Sequence, residues 1–254
     1  MTRSHRIMDA ICRVLATSGV VRWDGMADNP ARYSHEGTVS SSHVRRLNVL
    51  AALVGIVISL PLMVVIALAV RLTSTGPILF RQERVGHDRR AGKADRGPAS
   101  IRREYDAGGT IFTMYKFRTM TTCMEEGVTR EVWASPDDSR ITPVGSFLRA
   151  YRLDELPQLF NVLRGDMNVV GPRPEQPSIF QELKSQVERY PERQLVLPGI
   201  TGWAQVNHGY DQSMDDVRKK VALDLEYIRR RSPGEDLRIM ALTFPVMIGR
   251  RGAL

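Results

Sequence analysis

An α+β fold carrying a membrane-inserted N-terminal helix is predicted by three observations. Residues 49–70 (VLAALVGIVISLPLMVVIALAV) hold no charge. Residues 111–120 (IFTMYKFRTM) have the composition of a strand. The stretch around 147–163 and a longer one at 214–231 place apolar residues at helical spacing. The expected architecture is a re-entrant, proline-broken helix hairpin followed by a compact, mostly helical domain with a small β element. Amphipathic helices lying in the membrane interface complete it.

Residues 1–45 read as a flexible leader. Residues 7–21 suit a short amphipathic helix, and Trp23 to His43 is polar and aperiodic. The early apolar stretch is broken by Asp9 and Arg13, so it does not read as a signal peptide.

The membrane segment, 46–72, follows. Its uncharged part would make a helix of about 33 Å at ~1.5 Å per residue, against a bilayer core of about 30 Å. Pro61 stands near its middle. An internal proline removes a backbone hydrogen bond and kinks a helix, and Ser59 has a hydroxyl that can bond a freed carbonyl. Arg45 and Arg46 precede the segment, while Arg71, Arg81 and Arg84 follow it. Basic residues prefer the cytoplasmic side, so two basic flanks favour a hairpin that enters and leaves on one face. A single pass is the alternative.

Residues 73–250 form the expected soluble domain. A strand-like stretch at 74–86 leads to a hydrophilic, basic loop at 87–109. On a strand, side chains two apart share a face. Lys116 and Arg118 are therefore expected to point together, with Tyr115 and Phe117 opposite. Such a pair suits a phosphate, or equally a charged edge that discourages strand pairing.

Residues 152–159 (RLDELPQL) set Asp154 beside Glu155 among leucines, with Pro157 suited to the start of a helix. One acid would serve as a helix cap. Two adjacent acids repel, and the second needs a divalent cation or arginines. Arg149 and Arg152 are three apart and neighbours on a helix. Arg173 stands between two prolines, so a stiff loop presents its guanidinium, either to a phosphate or to solvent. Residues 237–248 are apolar but too short to span, with basic runs on both sides. They suit an interfacial helix or a core helix.

Composition excludes several classes. The chain has 254 residues and a formal charge of +8. Cys12 and Cys123 match no metal spacing, and neither do the histidines. The Walker A loop, the dinucleotide fingerprint and the zincin signature are missing. Nucleic acid is not an expected partner, because only the net charge suggests it.

Four stretches together resemble one family: GPILFRQERVG, FTMYKFRTM, SRITPVGSFLRAYRLDELPQLFNVLRGDMNVVGPRPE and LPGITGWAQVN. They are similar to the bacterial sugar transferases, monotopic phosphoglycosyl transferases that start polyprenol-linked glycan assembly. The likeness runs from about residue 46 to 249 and is greatest to members that prime exopolysaccharide synthesis. It implies transfer of a hexose-1-phosphate from a UDP-sugar to a polyprenol (undecaprenyl) phosphate, with release of UMP. The setting it implies is the cytoplasmic face of the inner membrane, and the cofactor is Mg²⁺. By this resemblance Asp154 is the nucleophile and Glu155 helps place the metal. Lys116 and Arg149 bind phosphate, and Arg173 is associated with the nucleotide. Ser59 and Pro61 match the helix-breaking Ser-Pro, here with Leu60 inserted. Loop 87–109 is longer than the usual turn. A non-catalytic, membrane-attached adapter derived from such a transferase is the alternative. Which UDP-sugar, which glycan and whether the chain self-associates are left open.

Overall fold

The computed structural model describes residues 41–88, 108–121, 138–208 and 213–248. The leader up to residue 40, including the expected helix at 7–21, and the basic loop over 89–107 lie outside the described residues.

Helix α1 (Ser41–Thr73) runs as one element through Pro61. It is long and apolar enough to cross a membrane, judged by length and composition. The expected division into two arms is not an interruption of the helix. Pro61 cannot donate to Val57, yet the turns on both sides continue. The expected repair by Ser59 also differs. Its hydroxyl donates to Gly55 O at 2.6 Å, one turn back, and not to the carbonyl that proline frees. Back-bonding of this kind bends helices slightly.

Strands β1 (Leu79–Val85) and β2 (Ile111–Phe117) form an antiparallel pair, with Leu79 opposite Phe117 and Val85 opposite Ile111. Helix α2 (Pro143–Ala150) begins with Pro143 at its first position and Thr142 as cap, whose hydroxyl accepts from Gly145 N at 2.9 Å. Gly145 has to be glycine, because a Cβ there would stand 2.0 Å from Thr119 O. The start of α2 thus rests directly on the backbone after β2. A 3₁₀ turn (Leu153–Glu155) leads to α3 (Gln158–Arg164), which Gly165 ends at φ 93°.

Strand β3 (Asn168–Val170) pairs in parallel with β4 (Gly199–Thr201). Between them lie α4 (Pro177–Gln186) and a second 3₁₀ turn (Tyr190–Leu195). Helices α5 (Trp203–Asn207), α6 (Met214–Arg230) and α7 (Pro233–Ile248) follow. Helix α7 buries Ile239 and Asp236 while Leu237 and Phe244 are exposed, so it carries both a core side and an uncovered apolar side.

The body grips α1 at two places. Ala52 packs with Met114, Val162 and Met167, and further along Met63, Ile66 and Val70 pack with Phe117 and Leu148. Between them, from Leu53 to Leu62, no side chain is buried. Polar clamps reinforce both ends. Arg45 donates to Met167 O at 2.7 Å and to Val162 O, closing carbonyls at the end of α3. Asn48 is fully buried. Its amide nitrogen donates to Asp236 at 2.7 Å, and its oxygen accepts from Val169 N and Val170 N. Arg45 is thus held by protein, not only a flanking charge for the lipid surface.

Candidate active site

The acidic pair is placed by its apolar neighbours. Leu153 and Leu156 pack against the cluster of Met63, Ile66, Phe117 and Leu148. Arg152 enters the turn at φ 54°, a left-handed conformation uncommon outside glycine. That reversal closes the 3₁₀ turn and sets Asp154 and Glu155 just before α3. Both are buried.

Glu155 is fully engaged. Arg173 forks onto it, with Nη2 donating to Oε1 at 2.6 Å and Nη1 to Oε2 at 3.2 Å. Lys116 Nζ donates to Oε1 at 3.0 Å. Burial alone would raise the pKa of Glu155, but Arg173 and Lys116 outweigh it and hold the group well below the carboxylate range. Lys116 is the second-last residue of β2, and burial pushes its ammonium below the ordinary value against the pull of Glu155.

Asp154 is different. No hydrogen bond reaches its carboxylate from the described residues, although Lys116, Arg173 and Arg149 all act on it through space. Burial pushes its pKa up; Lys116 opposes the rise and Glu155 adds to it. On the preceding helix, Arg149 keeps a buried Nη1 without a hydrogen-bond partner. Among the described residues, an acid and a guanidinium nitrogen without hydrogen bonds thus act on one another through space.

Arg118 is not brought to this cluster. The strand ends at Phe117, so the alternation expected for Lys116 and Arg118 stops before it applies. The Arg118 guanidinium is buried at the end of α1, donating to Ser74 O at 2.8 Å and Val70 O at 3.3 Å. It clamps the last turn of the apolar helix to the strand that carries Lys116. The Ser59 and Pro61 pair lies in the unburied middle of α1.

Sequence reasoning missed a second cluster behind Arg173. Arg193 has a fully buried side chain that donates to Asp224 at 2.7 Å, Tyr190 Oη at 3.0 Å and Arg173 O at 3.0 Å. Lys220 donates to Glu175 at 2.8 Å, and Arg193 reaches the same oxygen at 3.4 Å. The nearest signal was Glu175 itself, an acid two residues beyond Arg173.

Magnesium prefers six oxygens and is usually held by one or two carboxylates with substrate phosphates completing the shell. Asp154 and Glu155 supply that number. Among the described residues no group of three or more His, Cys, Asp or Glu is placed to hold a metal. The donor set fits the ion through Asp154 first, a buried carboxylate with no hydrogen bond. Glu155 takes part only by sharing oxygens already engaged by Arg173 and Lys116.

Residues 40–250 match the family model described as bacterial sugar transferase. The UDP-N-acetylgalactosamine-undecaprenyl-phosphate N-acetylgalactosaminephosphotransferase of Aeromonas hydrophila is 35% identical over 93% of this chain and 51% of its own length. The UDP-glucose:undecaprenyl-phosphate glucose-1-phosphate transferase of Xanthomonas campestris pv. campestris is 41% identical over 76% of this chain and 36% of its own. A protein of the same name from Caulobacter vibrioides is 38% identical over 80% of this chain and 69% of its own. The chain thus spans about a third to a half of the length of the first two. With the match covering the site, both sheets and α1, the chain belongs to the bacterial sugar transferase family.

Proposed function

We propose that the chain transfers a sugar-1-phosphate from a UDP-sugar to a polyprenol phosphate of the undecaprenyl type, priming exopolysaccharide or a related glycan. The observation that carries this reading is Asp154, a buried carboxylate with no hydrogen bond from the described residues, beside an acid held by two cations. The names of the relatives supply the substrate classes.

In the first step an Asp154 oxygen attacks the β-phosphorus of the donor. The bond from that phosphorus to the bridging oxygen breaks, and UMP leaves with the electron pair. In the second step a phosphate oxygen of the polyprenol phosphate attacks the same phosphorus. The Asp154 carboxylate is released and the diphosphate product forms. Carboxylates serve as nucleophiles in other covalent phosphoryl transfers. A diphosphate repels an anionic nucleophile, so fixed positive charge at the β-phosphate is required. Lys116, Arg149 and Arg173 are the groups assigned to it, and Glu155 orients Lys116 and Arg173. A bound Mg²⁺, held by Asp154 and Glu155, would neutralise further charge on the diphosphate.

The domain assignment follows the same reading. Residues 46–72 enter the inner membrane from the cytoplasmic face and return to it through a bend at Pro61 made within the continuous helix α1, and 73–250 form the catalytic domain at that surface. The exposed apolar side of α7 lies at the interface, and α1 fixes the height of the site relative to the acceptor phosphate.

The test is the covalent intermediate. Purified protein is incubated with Mg²⁺ and UDP-glucose, UDP-galactose or UDP-N-acetylgalactosamine, quenched, and searched for the added sugar-phosphate mass. An adduct on Asp154 is expected with the true donor. Turnover by Asp154→Asn together with no adduct on the wild type would overturn the mechanism. Cysteines placed before Val49 and after Val70 are expected to label from one side; labelling from opposite sides would overturn the hairpin.

A further inference from the structure

Four consecutive carbonyls of the Pro-Arg-Pro loop each accept a hydrogen bond from a different part of the chain. Pro172 O accepts from Gly199 N at 2.9 Å, and Arg173 O accepts from Arg193 Nη2 at 3.0 Å. Pro174 O accepts from Arg84 Nη1 at 3.1 Å, and Glu175 O accepts from Val85 N at 2.9 Å.

The bond at the centre of this set is the one to Arg173 itself. Arg193 is placed by three groups besides that carbonyl. Its Nε donates to Asp224, and its Nη1 donates to Tyr190 Oη and reaches Glu175. The guanidinium also lies over the Tyr190 ring, 5.0 Å from its centroid. Its remaining arm is therefore aimed, not free to swing. At the other end of the same residue, the Arg173 side chain forks onto Glu155. A fork needs both nitrogens in register with both oxygens, so a small backbone shift at 173 costs the pair its geometry.

We infer that Arg193 is a positioning residue of the transfer reaction: it holds the Arg173 backbone so that the Arg173 guanidinium meets Glu155. Arg193 touches neither acid of the pair and acts only through Arg173. The inference rests on the proposed role of Arg173 at the active site.

The experiment is a double-mutant cycle on the full chain, in detergent or lipid, with undecaprenyl phosphate, Mg²⁺, and the UDP-sugar that forms the adduct. The donor is radiolabelled so that slow variants remain measurable. Arg193→Lys keeps the buried charge and a partner for Asp224 but lacks the second arm. It is expected to melt within a few degrees of the wild type. Its kcat/KM for the donor is expected to fall on the order of tenfold or more, the size of one lost hydrogen bond to a charged group. In an Arg173→Ala background the same change is expected to have no further effect, because its route to the site is gone. Equal losses in both backgrounds would show a general structural role and overturn the inference alone. A silent Arg173→Ala would overturn the assignment of Arg173 and the inference with it. If Arg193→Lys does not fold, Asp224→Asn takes its place in the cycle. It leaves Arg193 present with a weaker anchor, and the same two patterns decide.

Discussion

Glu155 and Glu175 make an instructive pair. Both are buried glutamates, each bonded by one lysine and one arginine. Around Glu175 the bonding closes. Arg193 uses all three of its nitrogens, on Asp224, Glu175, Tyr190 and Arg173 O, and Lys220 bonds the same Glu175 oxygen as Arg193. Around Glu155 it does not close. Next door, among the described residues, Asp154 has no hydrogen bond, and a buried nitrogen of Arg149 lacks an acceptor. Buried polar groups are nearly always satisfied, so leftover capacity calls for an explanation. Arg193 spends its bonds within its own cluster, whereas Asp154 and Arg149 keep some capacity in reserve.

The sharpest way to break this comparison is to remove one acid from each cluster. Asp154→Asn should lower sugar-phosphate transfer by at least ~10³-fold, since an amide cannot form the phosphoryl bond. Its thermal stability should hold or rise. The folded pKa of Asp154 lies above its ordinary value, so at neutral pH the ionised carboxylate opposes folding, and the amide removes that penalty. A clear fall in melting temperature would contradict this. Asp224→Ala should do the reverse to stability. It strands the Arg193 charge in the core and should cost about 3–5 kcal/mol in denaturant melts.

A third change tests the closed cluster by pH. Glu175 has a folded pKa of about 2 against an ordinary 4.5, because Lys220 and Arg193 outweigh burial. The stability it contributes is therefore complete above pH 4.5 and is lost as pH falls toward 2. The full amount is on the order of 3 kcal/mol. Glu175→Gln should flatten the acid limb of a stability–pH curve over that window, and an unchanged limb would refute the assignment. The smallest effect is expected from Ser59→Ala. Losing one intrahelical back-bond should change stability by less than ~1 kcal/mol and leave turnover within about twofold, read by melting and UMP release.

Much of the site could be read along the chain because its signals are local. The adjacent acids, Pro157 ahead of a helix, and Arg173 between prolines are each visible within eight residues. The 22 positions of the charge-free run likewise marked α1. Three things were not legible. Arg118 lies one residue past the end of β2, so strand alternation gave it the wrong neighbours. Arg45 looked like a membrane-flanking charge, but its partners are 117 and 122 residues away. The Arg193 cluster joins the second 3₁₀ turn, α6 and the Pro-Arg-Pro loop, segments far apart in the chain, and only the fold brings them together. Burial converts such scattered charges into partners, and a linear pattern does not record it.

The grip on α1 has a consequence for how the protein is made. The helix leaves the ribosome well before the residues that hold its first turns. Met167 and Val162 arrive more than a hundred residues later, and Asp236 comes 188 residues after Asn48. During that interval Arg45 and Asn48 still lack their final acceptors and donors. The finished body therefore closes onto a helix made well before it, and Arg45 and Asn48 find their partners only at that last step.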